Sequence, residues 1–328
     1  MRFLTFIFSA IFAVSLTPDP AHANCDYGTF EAACKIKSGH YRIRKPDGAG
    51  PHPTVVYLYG SLGNSAQKLS DTGFIQAFVE RGYAVIVPVA LDLRYDTGIG
   101  SGWFLRHERG QRKRNEIKFV ESVLGDAQVR HNIDRRKVMI VGMSRGGFLT
   151  WEIACHRPEL AQAYAPIAAG YLGPMPRRCK RAVKLLHTHG RTDKIVPLNP
   201  KQPWVSAGAK AMDLGAAFNV IARTNGCTPP SRPKKFREYD RSSWSCPRGA
   251  SLDLLVHNGG HTIPLSWYST VVDWFAGGPA TPNTGTATTA GTSSPRFKSV
   301  GAEQGSRFKR PGSGAKLGSG TSPNLESD

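Results

Sequence analysis

The segment 137–147, KVMIVGMSRGG, limits the folds open to this chain more than any other stretch. An apolar run typical of a buried strand leads into a turn that carries Ser144 between glycines, and the following FLTWEIACH suits a helix. A serine on such a strand–turn–helix unit projects its hydroxyl away from the backbone, and the glycines avoid collisions with neighbouring elements. Because G-x-S-x-G also arises by chance, the interpretation depends on the strand and helix around it. Together they predict that Ser144 is a nucleophile.

Residues 1–23 predict a secretory signal peptide. Arg2 precedes an apolar run, Phe3–Leu16, and the segment ends in Ala-His-Ala, which puts cleavage near Asn24. The run is shorter than the ~18 residues that span a bilayer, and no other stretch reaches that length, so we expect no membrane span after cleavage. A lipoprotein needs a small residue directly before the cysteine that carries the lipid. Asn24 precedes Cys25, which argues against a lipid anchor.

All six cysteines lie in the predicted mature chain, and an even number in an exported protein favours disulfide bonds over free buried thiols. The sequence allows many pairings. We favour pairing of neighbours along the chain, which gives Cys25–Cys34, Cys155–Cys179 and Cys227–Cys246. The last bond would close a Pro-, Lys- and Arg-rich loop and contribute ~3 kcal/mol to stability.

The formal net charge of +19 favours solubility and contact with anionic surfaces but says nothing of the fold. The basic residues are not gathered on a recognisable nucleic-acid-binding module with aromatic stacking positions, so we expect no nucleic-acid partner. The densest basic run, Arg106–Arg114, is interpreted as a solvated loop.

Apolar runs and helical periodicity alternate along residues 24–276. Predicted strands are an edge strand at 40–44, then 54–60, 83–90, the strand before Ser144, 164–170, 183–187 and 252–256. Predicted helices are 70–81, 114–129, the helix after Ser144, 204–218 and 265–275. This alternation predicts one α/β domain with a mostly parallel, doubly wound sheet and crossover helices on both faces.

Two segments fall outside this pattern. Leu91–Gly110, which carries Trp103 and Phe104, predicts a long loop, and loops beyond about 12 residues are usually functional or mobile. Residues 277–328 are rich in Gly, Ser, Thr and Pro with scattered Lys and Arg. They predict a flexible tail that serves as a spacer or makes weak contact with anionic surfaces.

A nucleophilic serine needs a base within hydrogen-bond reach and a third group to orient that base. In a doubly wound sheet these partners lie on loops at the carboxyl ends of later strands. The loop after strand 183–187 supplies Asp193, and the loop after the last strand supplies His261, in the chain order Ser, Asp, His. We predict Asp193 as the orienting acid and His261 as the base. Asp253, the rival acid, lies within the final strand, where a structural role is more typical.

His257, His187 and His189 compete with His261 for the role of base. His257 lies nearer its strand end and is more easily a packed histidine, whereas Gly259 and Gly260 give His261 a flexible loop. His187 and His189, at i and i+2 of a strand, would share a face suited to zinc, but no well-spaced third ligand accompanies them. We therefore expect neither a metal nor a cofactor.

The oxyanion that develops during attack by a serine needs two N–H donors. The backbone of Arg145, directly after the nucleophile, is one candidate. The turn after the strand TVVYLYG supplies the other, where Ser61 is preferred to Leu62. Each donor would stabilise the transition state by about 3 to 4 kcal/mol.

GMSRGG, GRTDKIVP and NGGHTIP, with the glycine turn after TVVYLYG, resemble the secreted esterases grouped with polyhydroxybutyrate depolymerases and feruloyl or acetylxylan esterases, in the α/β-hydrolase fold. The resemblance covers residues 53–275. It implies that the matching Ser144, Asp193 and His261 form a catalytic triad and that Trp103 is a wall of the substrate cleft. It also implies that the Cys227 and Cys246 segment is the disulfide loop of that family.

The chain departs from the pattern of that family at two places. Tyr59-Gly60 stands where many relatives have His-Gly, which leaves the backbone role of the turn intact. The loop around Trp103 is unusually basic, which leaves the identity of the substrate open.

These observations predict an exported serine esterase whose partner is an ester substrate, either a polyhydroxyalkanoate oligomer or a plant-wall feruloyl or acetyl ester. A serine peptidase with the same triad is one alternative. A non-catalytic protein that binds an anionic polymer through its basic loop and tail is another.

Overall fold

The computed structural model describes Cys25 and residues 33–61, 72–95, 98–108, 114–198, 205–206, 209–210, 213–230 and 232–277. The predicted signal peptide and the predicted tail beyond Gly277 lie outside the described residues. The start of the predicted helix at Trp204 and the alternative oxyanion residue Leu62 also lie outside them.

In this part of the chain the strands are β1 Cys34–Ile36, β2 Gly39–Arg44, β3 His52–Leu58, β4 Ala84–Pro88, β5 Leu91–Tyr95, β6 Gly98–Gly102, β7 Ile133–Met143, β8 Ala163–Ile167, β9 Lys184–Gly190, β10 Val205–Ser206, β11 Ala209–Lys210, β12 Lys234–Phe236, β13 Tyr239–Ser243 and β14 Ser251–His257. The α-helices are α1 Thr72–Val79, α2 Glu116–His131, α3 Arg145–His156, α4 Leu214–Asn225 and α5 Trp267–Phe275, with a short 3-10 turn at Pro158–Leu160.

Ten of the described strands form a central sheet in the order β1-β2-β4-β3-β7-β8-β9-β14-β13-β12, and β5–β6 and β10–β11 form two separate two-stranded sheets. The six strands from β4 to β14 in that order pair in parallel, and β1, β2, β12 and β13 add antiparallel edges on the two sides. The expectation of a mostly parallel α/β sheet is therefore confirmed.

The central strands are nearly continuous apolar runs because parallel strands are covered on both faces. All residues of β4 and β8 are buried, and most of β3 is. Helix α3 contacts β3, β7 and β8, and α2 contacts β7. Helix α2 begins where the side chain of Asn115 accepts a hydrogen bond from the Lys118 N–H (3.2 Å) and ends at the left-handed Asn132.

Three expectations about secondary structure are wrong. The segment interpreted as one long loop contains the β5–β6 hairpin, whose Gly- and Ser-rich second strand carries little apolar signal. The loop between Cys227 and Cys246 contains the hairpin β12–β13, which extends the sheet beside β14. Such antiparallel edge strands have few apolar residues because one face meets solvent. Helix α4 begins only at Leu214, where the Asp213 side chain accepts from the Ala216 N–H (2.9 Å).

The structure contains disulfide bonds between Cys25 and Cys34, Cys155 and Cys179, and Cys227 and Cys246. This is the pairing of neighbours that the sequence favours. The second bond ties the end of helix α3 to the segment before β9. The described helices include none with the length and apolar character needed to cross a bilayer.

Candidate active site

Ser144 lies between the last residue of β7 and the first residue of α3. Its backbone has φ 53° and ψ −121°, a conformation that non-glycine residues rarely adopt. The strain is held on both sides, because the Ser144 N–H donates to the Ile167 carbonyl (2.9 Å) and its own carbonyl accepts from the Phe148 N–H (3.0 Å). The turn therefore presents the Ser144 side chain at the carboxyl edge of the sheet.

The turn after β3 lies directly beside this serine. A Cβ added to Gly60 would lie 3.1 Å from the Ser144 Cβ and 3.7 Å from its Oγ. On the other side of the turn, a Cβ on Gly146 would lie 1.9 Å from the Leu58 carbonyl oxygen, which no side chain could tolerate. Glycine at both positions lets β3 and the serine turn approach closely.

The predicted acid and base are in contact. His261 Nδ1 lies 2.7 Å from Asp193 Oδ2, and the carboxylate can only accept, so the imidazole donates through Nδ1. The other carboxylate oxygen accepts from the backbone N–H groups of Ile195 and Val196, both at 2.9 Å. Burial acts to raise the pKa of Asp193, but the hydrogen bond from His261 and the two backbone bonds outweigh it and hold the pKa below its usual value.

The two loops that carry this pair are joined through their backbones. The Arg191 N–H donates to the His257 carbonyl (2.8 Å), and the Thr192 N–H donates to the Gly259 carbonyl (3.1 Å). These loops follow β9 and β14, which are neighbours in the sheet. The pairing of the strands thus fixes the distance between acid and base.

Ser144, Asp193 and His261 all follow parallel strands of one sheet, at the edge where ligands bind in open α/β folds. Within the described part of the chain, Ser144 and His261 are not hydrogen-bonded to each other. Such bonds are often long before substrate binds and tighten in the reacting complex. With Nδ1 committed to Asp193, the ring nitrogen left to act as a base is His261 Nε2.

The rival residues have structural surroundings. His257 is buried, and its Nδ1 accepts from the Gly259 N–H (3.1 Å). Asp253 is also buried and pairs with Arg241 (2.8 Å), while the Ser243 hydroxyl and the Trp274 ring nitrogen donate to its two oxygens. Neither residue contacts the Asp193–His261 pair through a hydrogen bond in the described part of the structure.

His187 and His189 form a buried hydrogen-bond chain behind the acid. The Trp151 Nε1–H donates to His187 Nδ1 (3.3 Å), so the His187 proton is on Nε2, which donates to His189 Nδ1 (3.0 Å). His189 then donates from Nε2 to the Val196 carbonyl (2.8 Å), and this nitrogen lies 3.7 Å from Asp193 Oδ2. All four ring nitrogens are used in this chain, so the pair supports the Asp193 loop.

Trp103 requires a correction. The sequence predicts that it lines the cleft, but its side chain is fully buried. Its Nε1–H donates to the Tyr59 carbonyl (2.7 Å), and its ring meets the Tyr59 ring edge to face at 5.4 Å. A buried indole offers no face to a substrate, so in this structure Trp103 is part of the packing behind the turn after β3.

The basic run Arg106–Arg114 is not simply a solvated loop. Its Glu108 is buried and accepts two hydrogen bonds from the guanidinium of Arg145 (2.6 and 2.7 Å). Arg114 pairs with the buried Glu116 (2.8 Å). Sequence patterns do not indicate these pairs, because charged residues in a dense run are usually solvated. The partner of Glu108 is distant in sequence, and the partner of Arg114 lies just after the run.

The two predicted oxyanion donors belong to segments that adjoin Ser144. Arg145 is the first residue of α3, so its N–H has no partner within the helix. Ser61 follows Gly60 at the carboxyl end of β3 and is half-buried. The N-terminus of α3 adds a partial positive charge near the serine, which favours an oxyanion there.

No family model matches the chain. Among curated proteins it is similar to feruloyl esterase D of Neurospora crassa, with 24% identity over 243 residues, which span 69% of this chain and 74% of the relative. It is also similar to feruloyl esterase C of Emericella nidulans, with 21% identity over 238 residues, which span 67% of this chain and 82% of the relative.

Two solved structures share the fold. An acetyl xylan esterase from Aspergillus awamori has a TM-score of 0.51 and 15% identity, with 72% of this chain and 93% of that chain covered. A carboxylesterase from Mesorhizobium loti has a TM-score of 0.50 and 15% identity, with 75% and 98% covered. The chain therefore has the α/β-hydrolase fold with a serine on the turn between strand and helix. Its curated relatives are named as esterases, which supports hydrolysis of carboxylic esters. The narrower resemblance to polyhydroxybutyrate depolymerases stays a prediction.

The buried histidine chain generates a prediction about pH. Burial, followed by the charge of His189, lowers the pKa of His187 well below the ordinary value of about 6.5. The unfolded chain then binds more protons than the folded chain below about pH 6.5, so the free energy of unfolding falls as the pH falls from there. One such group contributes a slope of up to ~1.4 kcal/mol per pH unit.

We expect His187→Gln to remove this contribution. Urea unfolding of both proteins between about pH 7 and 5 should give a shallower pH dependence for the variant, by about one bound proton. Titrating groups that do not contact His187 cancel in the difference between the two slopes, and His189, which does, contributes any remainder. Parallel slopes would show that His187 takes up no proton on unfolding.

Proposed function

We propose that the chain is an exported serine esterase in which Ser144, His261 and Asp193 form a catalytic triad. The observation that carries the proposal is the 2.7 Å hydrogen bond between His261 and the buried Asp193. It favours the imidazole tautomer that leaves Nε2 as the proton acceptor, on a loop at the same sheet edge as the strained Ser144 turn. This arrangement is what general-base activation of a serine requires.

In the proposed reaction Ser144 Oγ attacks the ester carbonyl carbon while His261 Nε2 takes the hydroxyl proton. The carbonyl oxygen becomes an oxyanion and accepts hydrogen bonds from the backbone N–H groups of Arg145 and Ser61. The intermediate collapses, the bond to the alkoxy group breaks, and His261 gives its proton to the leaving alcohol. Water, deprotonated by the same imidazole, then releases the acid and restores Ser144.

Asp193 holds the imidazole in the tautomer that leaves Nε2 unprotonated, and its negative charge stabilises the imidazolium that forms during each step. The depressed pKa of Asp193 fits this role, because the carboxylate then stays ionised at any pH at which the histidine can act as a base. The reaction as proposed needs no cofactor.

The names of the curated relatives suggest the substrate class. Feruloyl esterases and an acetylxylan esterase/xylanase are among them, which supports plant-wall feruloyl or acetyl esters as substrates for this chain. Hydroxyalkanoate oligomers are the other ester class that the sequence motifs suggest. A hydrophobic pocket separates such substrates by only ~1 to 3 kcal/mol per methylene, so direct assay must decide between them.

The assay compares mature protein with Ser144→Ala on short and long p-nitrophenyl acyl esters, a feruloyl ester and a hydroxybutyrate oligomer. We expect Ser144→Ala to lower kcat by about 10⁴-fold or more, since the attacking atom is gone. Ser122→Ala, on the exposed side of α2, is the matched control and should keep full activity. Ester cleavage that survives in Ser144→Ala would disprove the proposed nucleophile.

The same assay separates the acid and base from their rivals. Asp193→Asn and His261→Gln should lower kcat by about 10³- to 10⁴-fold, whereas His257→Gln and Asp253→Asn should lower stability more than kcat. The reverse pattern would move the triad to the rival residues.

Export is the second part of the proposal. The signal-peptide pattern of residues 1–23 supports it, and so do the three disulfide bonds, because disulfides form and persist in oxidising compartments. N-terminal sequencing of the protein from the periplasm or culture medium should begin near Asn24. A protein recovered only from the cytosol, with Met1 retained, would contradict export.

A further inference from the structure

The two segments proposed to donate to the oxyanion come from different strands. Gly60 and Ser61 follow β3, and Arg145 follows β7. Their N–H groups can act together only if the spacing between the two segments is fixed. Trp103 hydrogen-bonds to Tyr59, directly before the first segment, and to Arg145 in the second.

Trp103 uses its side chain for one segment and its backbone for the other. Its Nε1–H donates to the carbonyl of Tyr59, the residue before Gly60, at 2.7 Å. Its own carbonyl accepts from Nε of Arg145, also at 2.7 Å. Tyr59 is fixed at its far end as well, since its hydroxyl accepts from the Ala90 N–H (2.8 Å).

The guanidinium of Arg145 is itself held in place. It is buried beside Glu108, and its Nη2 donates to the two Glu108 carboxylate oxygens at 2.6 and 2.7 Å. Glu108 also accepts from the Leu105 N–H (2.8 Å). A buried ion pair is retained only when its remaining polar atoms are satisfied, and its loss would leave an uncompensated charge. The pair therefore fixes Arg145 against the loop that carries Trp103.

We propose that Trp103 is a positioning residue that sets the spacing of the two oxyanion N–H donors. This inference rests on the proposed function and deepens it. Oxyanion donors act at 2.7–3.1 Å from the position that the oxyanion will occupy, and a displacement of about 1 Å can cost roughly 10²-fold in rate. Because the donors strengthen their bonds only as charge develops, a change in their spacing lowers kcat and leaves KM nearly unchanged.

Trp103→Phe tests the proposal, because it keeps a buried aromatic ring and removes the hydrogen bond to Tyr59. The matched control is Trp267→Phe, which replaces another fully buried indole whose Nε1–H donates to the Thr188 hydroxyl (2.9 Å). We expect Trp103→Phe to lower kcat by about 10- to 100-fold with KM changed less than about threefold. An alkyl boronic acid, which forms a tetrahedral adduct with the serine, should bind more weakly by a similar factor. The control should change neither.

A rise in KM alone would overturn the proposal and support the earlier prediction of a substrate wall. Equal losses of kcat in Trp103→Phe and Trp267→Phe would also overturn it, since a general packing defect would explain both. If Trp103→Phe does not fold, Arg145→Lys removes the donor to the Trp103 carbonyl while keeping a cation for Glu108, and should show the same loss in kcat. Activity retained in Ser144→Ala would instead refute the proposed function itself.

A second observation is independent of this site. A cavity of about 300 Å³ lies between the C-terminal end of α3 and the N-terminal end of α2. Its lining is basic and contains no carboxylate among the described residues: Arg106, Asn115, Ile117, Lys118, His156, Arg157 and Lys180.

Of the four cationic side chains in this lining, one is ion-paired with carboxylates in the described part of the chain. Arg157 is paired with Glu121 and Glu159. The side chains of Arg106, Lys118 and Lys180 form no ion pair with a carboxylate in the described part of the chain. These three side chains are exposed, so they can move toward an anion.

Two titratable groups bear on the charge of the cavity, the buried Glu152 beside it and the half-buried His156 in its lining. Burial raises the pKa of Glu152, which accepts from the Arg106 backbone N–H, to about 8, so this carboxyl is largely neutral at pH 7. Burial and then the charges of Arg106 and Lys180 lower the pKa of His156 to about 4. The cavity thus keeps a net positive potential at neutral pH.

We propose that this basic cavity binds a phosphate group. A phosphate dianion offers three strong acceptor oxygens and charge enough for the unpaired cations. Ligand pockets range from about 300 to 1,000 Å³, so there is room for the phosphate and a small organic group attached to it.

Isothermal titration at fixed ionic strength, with inorganic phosphate and with a sugar phosphate, tests the site. Tighter binding of the sugar phosphate would identify an organic phosphate, and equal binding would identify free phosphate. The triple variant Arg106→Gln, Lys118→Gln and Lys180→Gln should raise Kd for both by about tenfold or more. The control triple variant Arg232→Gln, Lys234→Gln and Arg248→Gln makes the same charge change on exposed residues elsewhere and should leave Kd unchanged. No saturable binding, or equal weakening in both triple variants, would refute the site.

Discussion

The close approach of the serine turn to strand β3 is the constraint on which the site depends. Gly146 lies against the backbone of Leu58, so that any side chain there would overlap a carbonyl oxygen. This contact brings Ser144 beside Gly60 and holds it at a positive φ, a conformation that costs on the order of 1 to 3 kcal/mol. The surrounding parallel strands, almost entirely buried, supply the packing that maintains it.

Near this turn several buried polar side chains are joined in a hydrogen-bond chain. It runs from Trp151 through His187 and His189 to the carbonyl of Val196, whose N–H in turn binds Asp193. Burying a polar group without a hydrogen-bond partner costs free energy. Each imidazole of this chain accepts one hydrogen bond and donates one, which favours a single arrangement of the Asp193 loop. The position of the predicted acid is thus determined by residues that have no part in the proposed chemistry.

Local patterns predicted those parts of the molecule that are decided locally. Continuous apolar runs identified β3, β4 and β8, because strands buried on both faces consist mostly of apolar residues. The motif around Ser144 identified the turn, because a turn this tight requires glycines. The hairpin β5–β6 was missed because its pairing uses backbone groups and its second strand is Gly- and Ser-rich. The burial of Trp103 was missed because it depends on a contact with Tyr59, which lies far away in sequence.

Arg145 shows why the motif alone could not reveal the whole site. The glycines of G-x-S-x-G are required because neighbouring backbone leaves no room for a side chain, and this holds wherever the turn occurs. The turn places no such requirement on the residue after the serine. In this chain its side chain is buried against Glu108 and Trp103, while its backbone N–H is one of the two proposed oxyanion donors. One residue thus has two roles through different atoms, and a substitution such as Arg145→Lys changes the side-chain contacts while the backbone N–H stays in place. Trp103 contacts the side chain and the opposite segment but supplies no oxyanion N–H, so its substitution changes only how the donors are held.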